Sequence, residues 1–203
     1  MPTIGPYYPG TEANDDSNGG TVNWSTGNAG SDNDSPDEAA FAPGAPSPGT
    51  FEKTKWLFLT NFGISSGDLP DGNIIDEINF EIERKCDFNE FGATNTYVPG
   101  ANGRLIVAGA IAGTSEVIGS PTTSYAVFGP WNLMLGVTPT PAQIRASTFG
   151  LAIEYENFDD STVNANKVYV DFVRISSIVF HAAPAGGHKL CGKVNNPLLT
   201  GKI

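Results

Sequence analysis

The sequence predicts an all-β, antiparallel protein with one short helix. Apolar residues alternate with polar residues from Ile78 to Lys85, and again from Phe149 to Tyr155, which is the pattern of strands with one buried face. A sheet with one wet face is usually antiparallel. The 203 residues include 24 Gly and 15 Pro, a composition that favours turns and short strands over helices.

The N-terminal segment, residues 1–50, is acidic but contains large apolar side chains. It has seven acidic residues and no Lys or Arg, a composition typical of disorder. Trp24 and Phe41 oppose that interpretation, and Val22 alternates with Trp24 as in an edge strand. The prolines within 42–49 predict an extended loop.

The other elements follow in chain order. A strand is predicted over 54–62, with Trp56, Phe58, Thr60 and Phe62 on one face, and a turn over 67–73 precedes the strand that contains Ile78. Thr140 as N-cap, Pro141 and Gln143 form a capping box that begins a short helix near 140–147. Further predictions are a long loop after Asp87, a strand over 104–111, two short runs over 125–128 and 131–135, and a last strand over 168–180 with a bulge at Ser176 and Ser177.

Composition excludes several classes of function. The net charge of −11 opposes binding to nucleic acid phosphates. No apolar run reaches the 18 residues or so of a membrane span, and the N-terminus lacks the pattern of a secretion signal, so we expect a soluble protein made in the cytoplasm. Cys86 and Cys191 are too few for a disulfide scaffold, and whether they pair is left open.

No motif predicts an enzyme. His181, His188 and Cys191 are too few and too loosely spaced for a zinc site. The carboxylate pairs Glu81 with Glu83 and Glu154 with Glu156 suit glycoside hydrolysis, but acids on the wet face of a strand are the favoured interpretation. The nucleophile elbow, the phosphate loop and the dinucleotide fingerprint are all missing from the sequence.

Three aspartate pairs lie in loops rich in Asn and Gly, which suits the oxygen ligands that Ca²⁺ prefers. None matches the EF-hand loop, so a structural calcium stands beside solvated turns as an alternative, and no other cofactor is predicted. The pairs are Asp15 with Asp16, Asp32 with Asp34, and Asp159 with Asp160.

Several short motifs follow one another along residues 5–180: 20–25, 31–33, 60–64, 71–72 leading into 78–84, Trp131, 140–147, 149–152 and 170–175. In this order they resemble a β-sandwich domain of tailed-phage virion proteins. The resemblance implies a jelly-roll-like sandwich without catalytic residues, used in accessory proteins of the head or tail. The chain departs from that pattern in its proline-rich insertion, 42–49, and in its basic tail.

The domain prediction is a sandwich over 1–183 and a tail over 184–203. No acidic residue follows Asp171, and Lys189, Lys193 and Lys202 give the tail a charge of +3. We expect this tail to dock on a neighbouring subunit or on the shell, because its sign is opposite to that of the N-terminal segment. Its predicted anchors are Lys189, Lys193, Val194, Leu198 and Leu199.

The resemblance favours a non-enzymatic decoration or cement protein of a phage head, assembled in the host cytoplasm and contacting the major capsid protein or tail proteins. A homo-oligomer, as a trimer, would follow from how head accessory proteins often assemble. The alternative is a carbohydrate-binding, host-recognition module of a tail or head fibre, and a secreted bacterial surface module ranks third. In the alternative, sugar rings would stack on Tyr7, Tyr8, Tyr97 or Trp131.

Overall fold

The computed structural model describes residues 1–31, 35–41, 50–87, 97–159 and 166–184. Their strands form two antiparallel sheets, and one short helix accompanies them. The elements are β1 (Thr3–Ile4), β2 (Thr11–Asp15), β3 (Asp37–Ala40), β4 (Thr50–Lys53), β5 (Trp56–Thr60), β6 (Asn73–Cys86), β7 (Tyr97–Val107), β8 (Ala110–Val117), β9 (Ala126–Asn132), α1 (Pro141–Arg145), β10 (Gly150–Asp159) and β11 (Lys167–Ala182).

The strand order is that of a jelly roll. The back sheet runs β1-β11-β6-β9, with β3 also paired to β11, and the front sheet runs β2-β5-β10-β7-β8, with β4 also paired to β10. The eight strands β1, β5–β9, β10 and β11 pass between the two sheets as in two interlocked Greek keys. The predicted antiparallel sandwich with one short helix is therefore confirmed.

The core lies between the inner faces of the sheets. Ile78, Phe80 and Ile82 of β6 are buried there, as are Leu151 and Ile153 of β10. These are the residues that the period-two alternation assigned to the buried face. Trp24 and Phe41 belong to the same core cluster, so large apolar groups of the acidic N-terminal segment pack inside the sandwich.

Two predicted strand boundaries were wrong. The strand predicted over 104–111 is two strands, because Ala108 and Gly109 adopt φ values of 54° and 79° and form the tight turn between β7 and β8. The two runs predicted around Pro130 are one strand, β9. The ladder to β6 shifts register there, and β9 is an edge strand, where a proline needs no donor.

The predicted helix start and bulge are confirmed. Thr140 Oγ1 accepts from the backbone N–H of Gln143 at 3.3 Å, and Gln143 Oε1 accepts from the backbone N–H of Thr140 at 2.8 Å. Ile144 then buries the helix against the core. On β11 the register with β6 shifts between Ile175 and Ser177, as the serine pair predicted.

Several predictions fall outside the described residues. These are the extended loop 42–49, residues 88–96 of the loop predicted after Asp87, and the tail anchors. The rest of that predicted loop was wrong, because residues 97–103 belong to β7 and pair with β10. Within the described ranges, no helix is long and apolar enough to span a membrane.

Candidate functional site

The predicted stacking aromatics lie in different places. Tyr8 packs edge to face on Phe172, with the ring centroids 6.1 Å apart, and its hydroxyl oxygen accepts from Arg174 Nη1 at 3.3 Å. Tyr7 is half-buried against the core, where burial and, secondarily, the carboxylate of Asp68 raise its pKa. Both tyrosines belong to the N-terminal segment, which runs along the edge of β11 opposite to β6.

Trp131 lies at the opposite edge of the back sheet, on β9, and packs half-buried against the core. The guanidinium of Arg84 is 5.4 Å from its ring centroid. Since β11 and β6 separate it from Tyr7, the two are about three strand spacings, or ~14 Å, apart. The structure does not bring these aromatics together, and the side chain of Tyr97 lies outside the described residues.

The predicted tail anchors, His188 and Cys191 also lie outside the described residues, so neither the tail site nor the cysteine pairing is addressed. Cys86 Sγ is buried beside the carbonyl oxygens of Pro121 and Thr122, at 3.9 and 3.7 Å. His181 Nδ1 is 2.8 Å from Asp76 Oδ2 at the end of β11.

Of the aspartate pairs, the first has a described environment. Asp15 Oδ1 accepts from the backbone N–H of Ser17 at 3.0 Å, as in a solvated turn. Asp32, Asp34 and Asp160 are outside the described ranges, as is the side chain of Asp159. Among the residues the structure does describe, no group of three or more His, Cys, Asp or Glu side chains could hold a metal ion.

A carboxyl pair, the buried Asp37 with the half-buried Glu12, lies at the edge of the sandwich beside a cleft of about 320 Å³. Glu12 Oε2 accepts from the backbone N–H groups of Gly27 and Asn28 at 2.6 and 3.1 Å, and Asp37 accepts from those of Asn28 and Ala29. Burial, followed by the hydrogen bond and charge of Glu12, raises the pKa of Asp37 to about 8. Sequence reasoning missed the pair because β2 and β3 belong to different sheets, and their side chains meet only in the folded sandwich.

The outer face of the front sheet carries a second apolar cluster, separate from the core. Trp56, Ile106 and Ala152 are buried in it, and Phe58 and Ile111 pack against them half-buried. The sequence placed Trp56 and Phe58 on one face of a strand, and the structure shows that this face points away from the core, which Leu57 and Leu59 fill instead.

Polar side chains border this cluster. Glu154, only 6% exposed, accepts at Oε2 from Asn18 Nδ2 at 2.5 Å and at Oε1 from Asn102 Nδ2 at 3.1 Å. Arg104 lies on the same face of β7, one residue before Leu105, which points into the core. We call this surface the front groove and define it by Trp56, Phe58, Asn102, Arg104, Ile106 and Glu154.

The four predicted carboxylates fall on the outer sheet faces. Glu81 Oε2 accepts from Arg174 at 2.6 and 2.8 Å, and Glu156 pairs with Lys53 at 2.6 Å. Glu154 differs from the expected solvated acid, because it is buried and held by two amides. That difference makes it part of the front groove.

The back sheet carries a second candidate surface, the tyrosine stripe, defined by Tyr125, Lys85 and Tyr169. Lys85 Nζ lies 4.7 Å from each of the two ring centroids. Burial and, next, the charge of Asp87 raise the pKa of Tyr169 to about 12. Beside the stripe, Val127 is 51% exposed and Tyr125 is 39% exposed, which leaves apolar surface open on the edge strand β9.

Comparison with known proteins adds one structural likeness. No family model matches this chain, and no curated protein matches it. Among solved structures, the chain is similar to one titled "CBM4 structure and function", at 8% sequence identity and a TM-score of 0.32. The alignment covers 88% of this chain and 93% of that chain. At this identity and score, the likeness assigns no family, ligand or partner to this chain.

Proposed function

We propose that this protein is a non-enzymatic carbohydrate-binding module that holds a sugar chain in the front groove. One observation carries the proposal: the outer face of the front sheet is apolar and aromatic, although a solvent-facing sheet face is ordinarily polar. Within the described ranges, the apolar groups of this cluster all come from the sheet itself; Trp56, Ile106 and Ala152 are buried, and Phe58 and Ile111 are half-exposed. A ligand is the natural cover for the half-exposed part of this surface.

The side chains of the front groove match the two surfaces of a sugar. A pyranose ring presents a C–H face, which suits the half-exposed ring of Phe58, and an edge of hydroxyl groups. Asn102 and Glu154 are held to each other at 3.1 Å and lie on the same sheet face as Phe58. Each carboxylate oxygen of Glu154 accepts one amide N–H and retains capacity for a sugar hydroxyl. Because these polar groups are already ordered, binding costs little further side-chain entropy.

Replacement of the stacking ring tests the proposal. Phe58→Ala is expected to weaken binding to a polysaccharide by about 10-fold or more, as measured by affinity electrophoresis and calorimetry, because the C–H face of the sugar loses its partner. The matched control is Tyr125→Ala, which removes an exposed aromatic ring from the other sheet and should leave sugar binding unchanged. Unaltered binding by a folded Phe58→Ala protein would place the ligand elsewhere.

A second candidate function is assembly on a phage particle as a decoration or tail protein. The resemblance to virion accessory domains motivates it, and the exposed Tyr125 and Val127 beside the tyrosine stripe favour it, since open apolar surface commonly marks protein contacts. Labelling the protein and locating it in images of intact particles tests this candidate. The two functions are compatible, because a sugar-binding module can itself be a fibre component.

A further inference from the structure

Arg104 lies in the front groove with its hydrogen-bonding capacity largely unused. Its Cα is opposite Ala152, and its neighbours on the same face of β7 are Asn102 and Ile106. Nη2 donates to the carbonyl oxygen of Gly113, which fixes the direction of the side chain. Nε is buried and, within the described ranges, has no hydrogen-bond partner. A guanidinium has five N–H donors, so most of those of Arg104 are not used by the fold.

The other three arginines of the chain are accounted for by their surroundings. Arg145 pairs with Asp71 at 2.7 Å, and Arg174 pairs with Glu81 at 2.6 Å. Arg84 is fully buried and lies 4.4 Å from the ring centroid of Phe128. Among the described residues, Arg104 is therefore the half-exposed arginine without a carboxylate partner, in a chain with 22 acidic residues.

The described carboxylates of the same sheet face form no ion pair with Arg104. Glu154 is held by the amides of Asn18 and Asn102, and Glu156 pairs with Lys53. An incoming anion would thus meet a guanidinium that is already oriented and forms no ion pair with a described carboxylate. A guanidinium binds a planar carboxylate, or two oxygens of a sulfate, through paired N–H donors, and such charge-assisted bonds are about twice as strong as neutral ones.

We propose that Arg104 makes the front groove selective for acidic carbohydrates, in which a carboxylate or sulfate group lies on the guanidinium while a sugar ring stacks on Phe58. The inference rests on the proposed function and names its ligand class. The net charge of −11 does not prevent this contact, because charges farther away than ~10 Å are largely screened at 0.1 M salt.

The test compares polymers that differ only in charge. Polygalacturonate is paired with its methyl-esterified form, and dextran sulfate is paired with dextran, so that the two pairs distinguish carboxylate from sulfate. Binding is measured by calorimetry at about 0.15 M salt, where screening is physiological. The variants are Arg104→Gln, which removes the charge, and Arg104→Lys, which keeps the charge but loses the paired N–H donors of the planar guanidinium. Lys167→Gln, which removes a positive charge from the back sheet, is the control.

The wild-type protein is expected to bind one acidic polymer at least about 10-fold more tightly than its neutral counterpart. Arg104→Gln should erase that preference, Arg104→Lys should keep part of it, and Lys167→Gln should keep all of it. Equal binding to charged and neutral forms, or a preference unchanged in Arg104→Gln, would overturn the inference but leave the proposed function standing. If no polysaccharide binds in a Phe58-dependent way, both fail.

Discussion

At the scale of single residues, the Glu12–Asp37 pair makes stability depend on pH. The pKa of Asp37 is about 8 in the folded protein, against 3.8 for a free side chain, so the folded state retains a proton that the unfolded chain releases. The stabilisation from this group is complete below about pH 4 and is lost as the pH rises through 8. We therefore expect the free energy of unfolding from denaturant titrations to be lower at pH 9 than at pH 6.

Glu12→Gln tests whether the pair is the cause. The oxygen of Gln can still accept from the backbone N–H groups of Gly27 and Asn28, and its amide can donate to an ionised Asp37. The difference in stability between pH 6 and pH 9 should shrink in this variant. Glu38→Gln is the matched control, because Glu38 lies on the same strand as Asp37 but pairs with Lys167 outside the core. A wild-type pH dependence in Glu12→Gln would assign the effect to other groups.

At the scale of elements, the β7–β8 hairpin contains a residue in an unfavourable conformation. Ala108 has a φ of 54°, a region that costs an L residue about 1 kcal/mol and glycine almost nothing. Ala108→Gly should raise the free energy of unfolding by up to about 1 kcal/mol, as measured with urea. Ala110→Gly, at the first residue of β8, should lower it by about 0.5–1 kcal/mol, since Ala110 has no positive φ and glycine loses more conformational entropy on folding than alanine. The same sign for both variants would contradict this account.

The elements also show what sequence patterns can predict. β6 and β10 alternate in period two over their buried faces, and α1 begins at a capping box, so both features follow from local residues. β5 is apolar on both faces, and alternation alone cannot tell whether Trp56 or Leu57 points to the core. The sequence pattern therefore did not reveal the front groove. It also did not reveal the turn at Ala108, because this turn lies within an apolar run.

At the scale of the whole molecule, the fold is held together by contacts between distant parts of the chain. β11, the last strand, pairs with β1, β3 and β6, so the N-terminal segment completes the back sheet. Local sequence patterns cannot predict such pairing between distant strands. For the same reason they could not predict that Glu12 lies beside Asp37. The acidic N-terminal segment lies within this assembly of strands, whereas the tail follows the last strand with a charge of +3.

The strands and the tail occupy separate parts of the chain. One truncation can therefore test whether the tail is needed for folding and whether it is needed for docking. All strands of the described ranges lie between Thr3 and Ala182, so a protein truncated after Ala185 should keep the thermal midpoint of the full chain and its binding to polysaccharides. If the tail docks on a shell through Lys189, Lys193 and its apolar neighbours, the truncated protein should lose association with particles, as measured by co-sedimentation. Normal decoration by the truncated protein would exclude the tail as an anchor. A lowered thermal midpoint would instead show that the tail stabilises the folded protein, either on its own sandwich or on a neighbouring subunit, since both kinds of contact raise apparent stability.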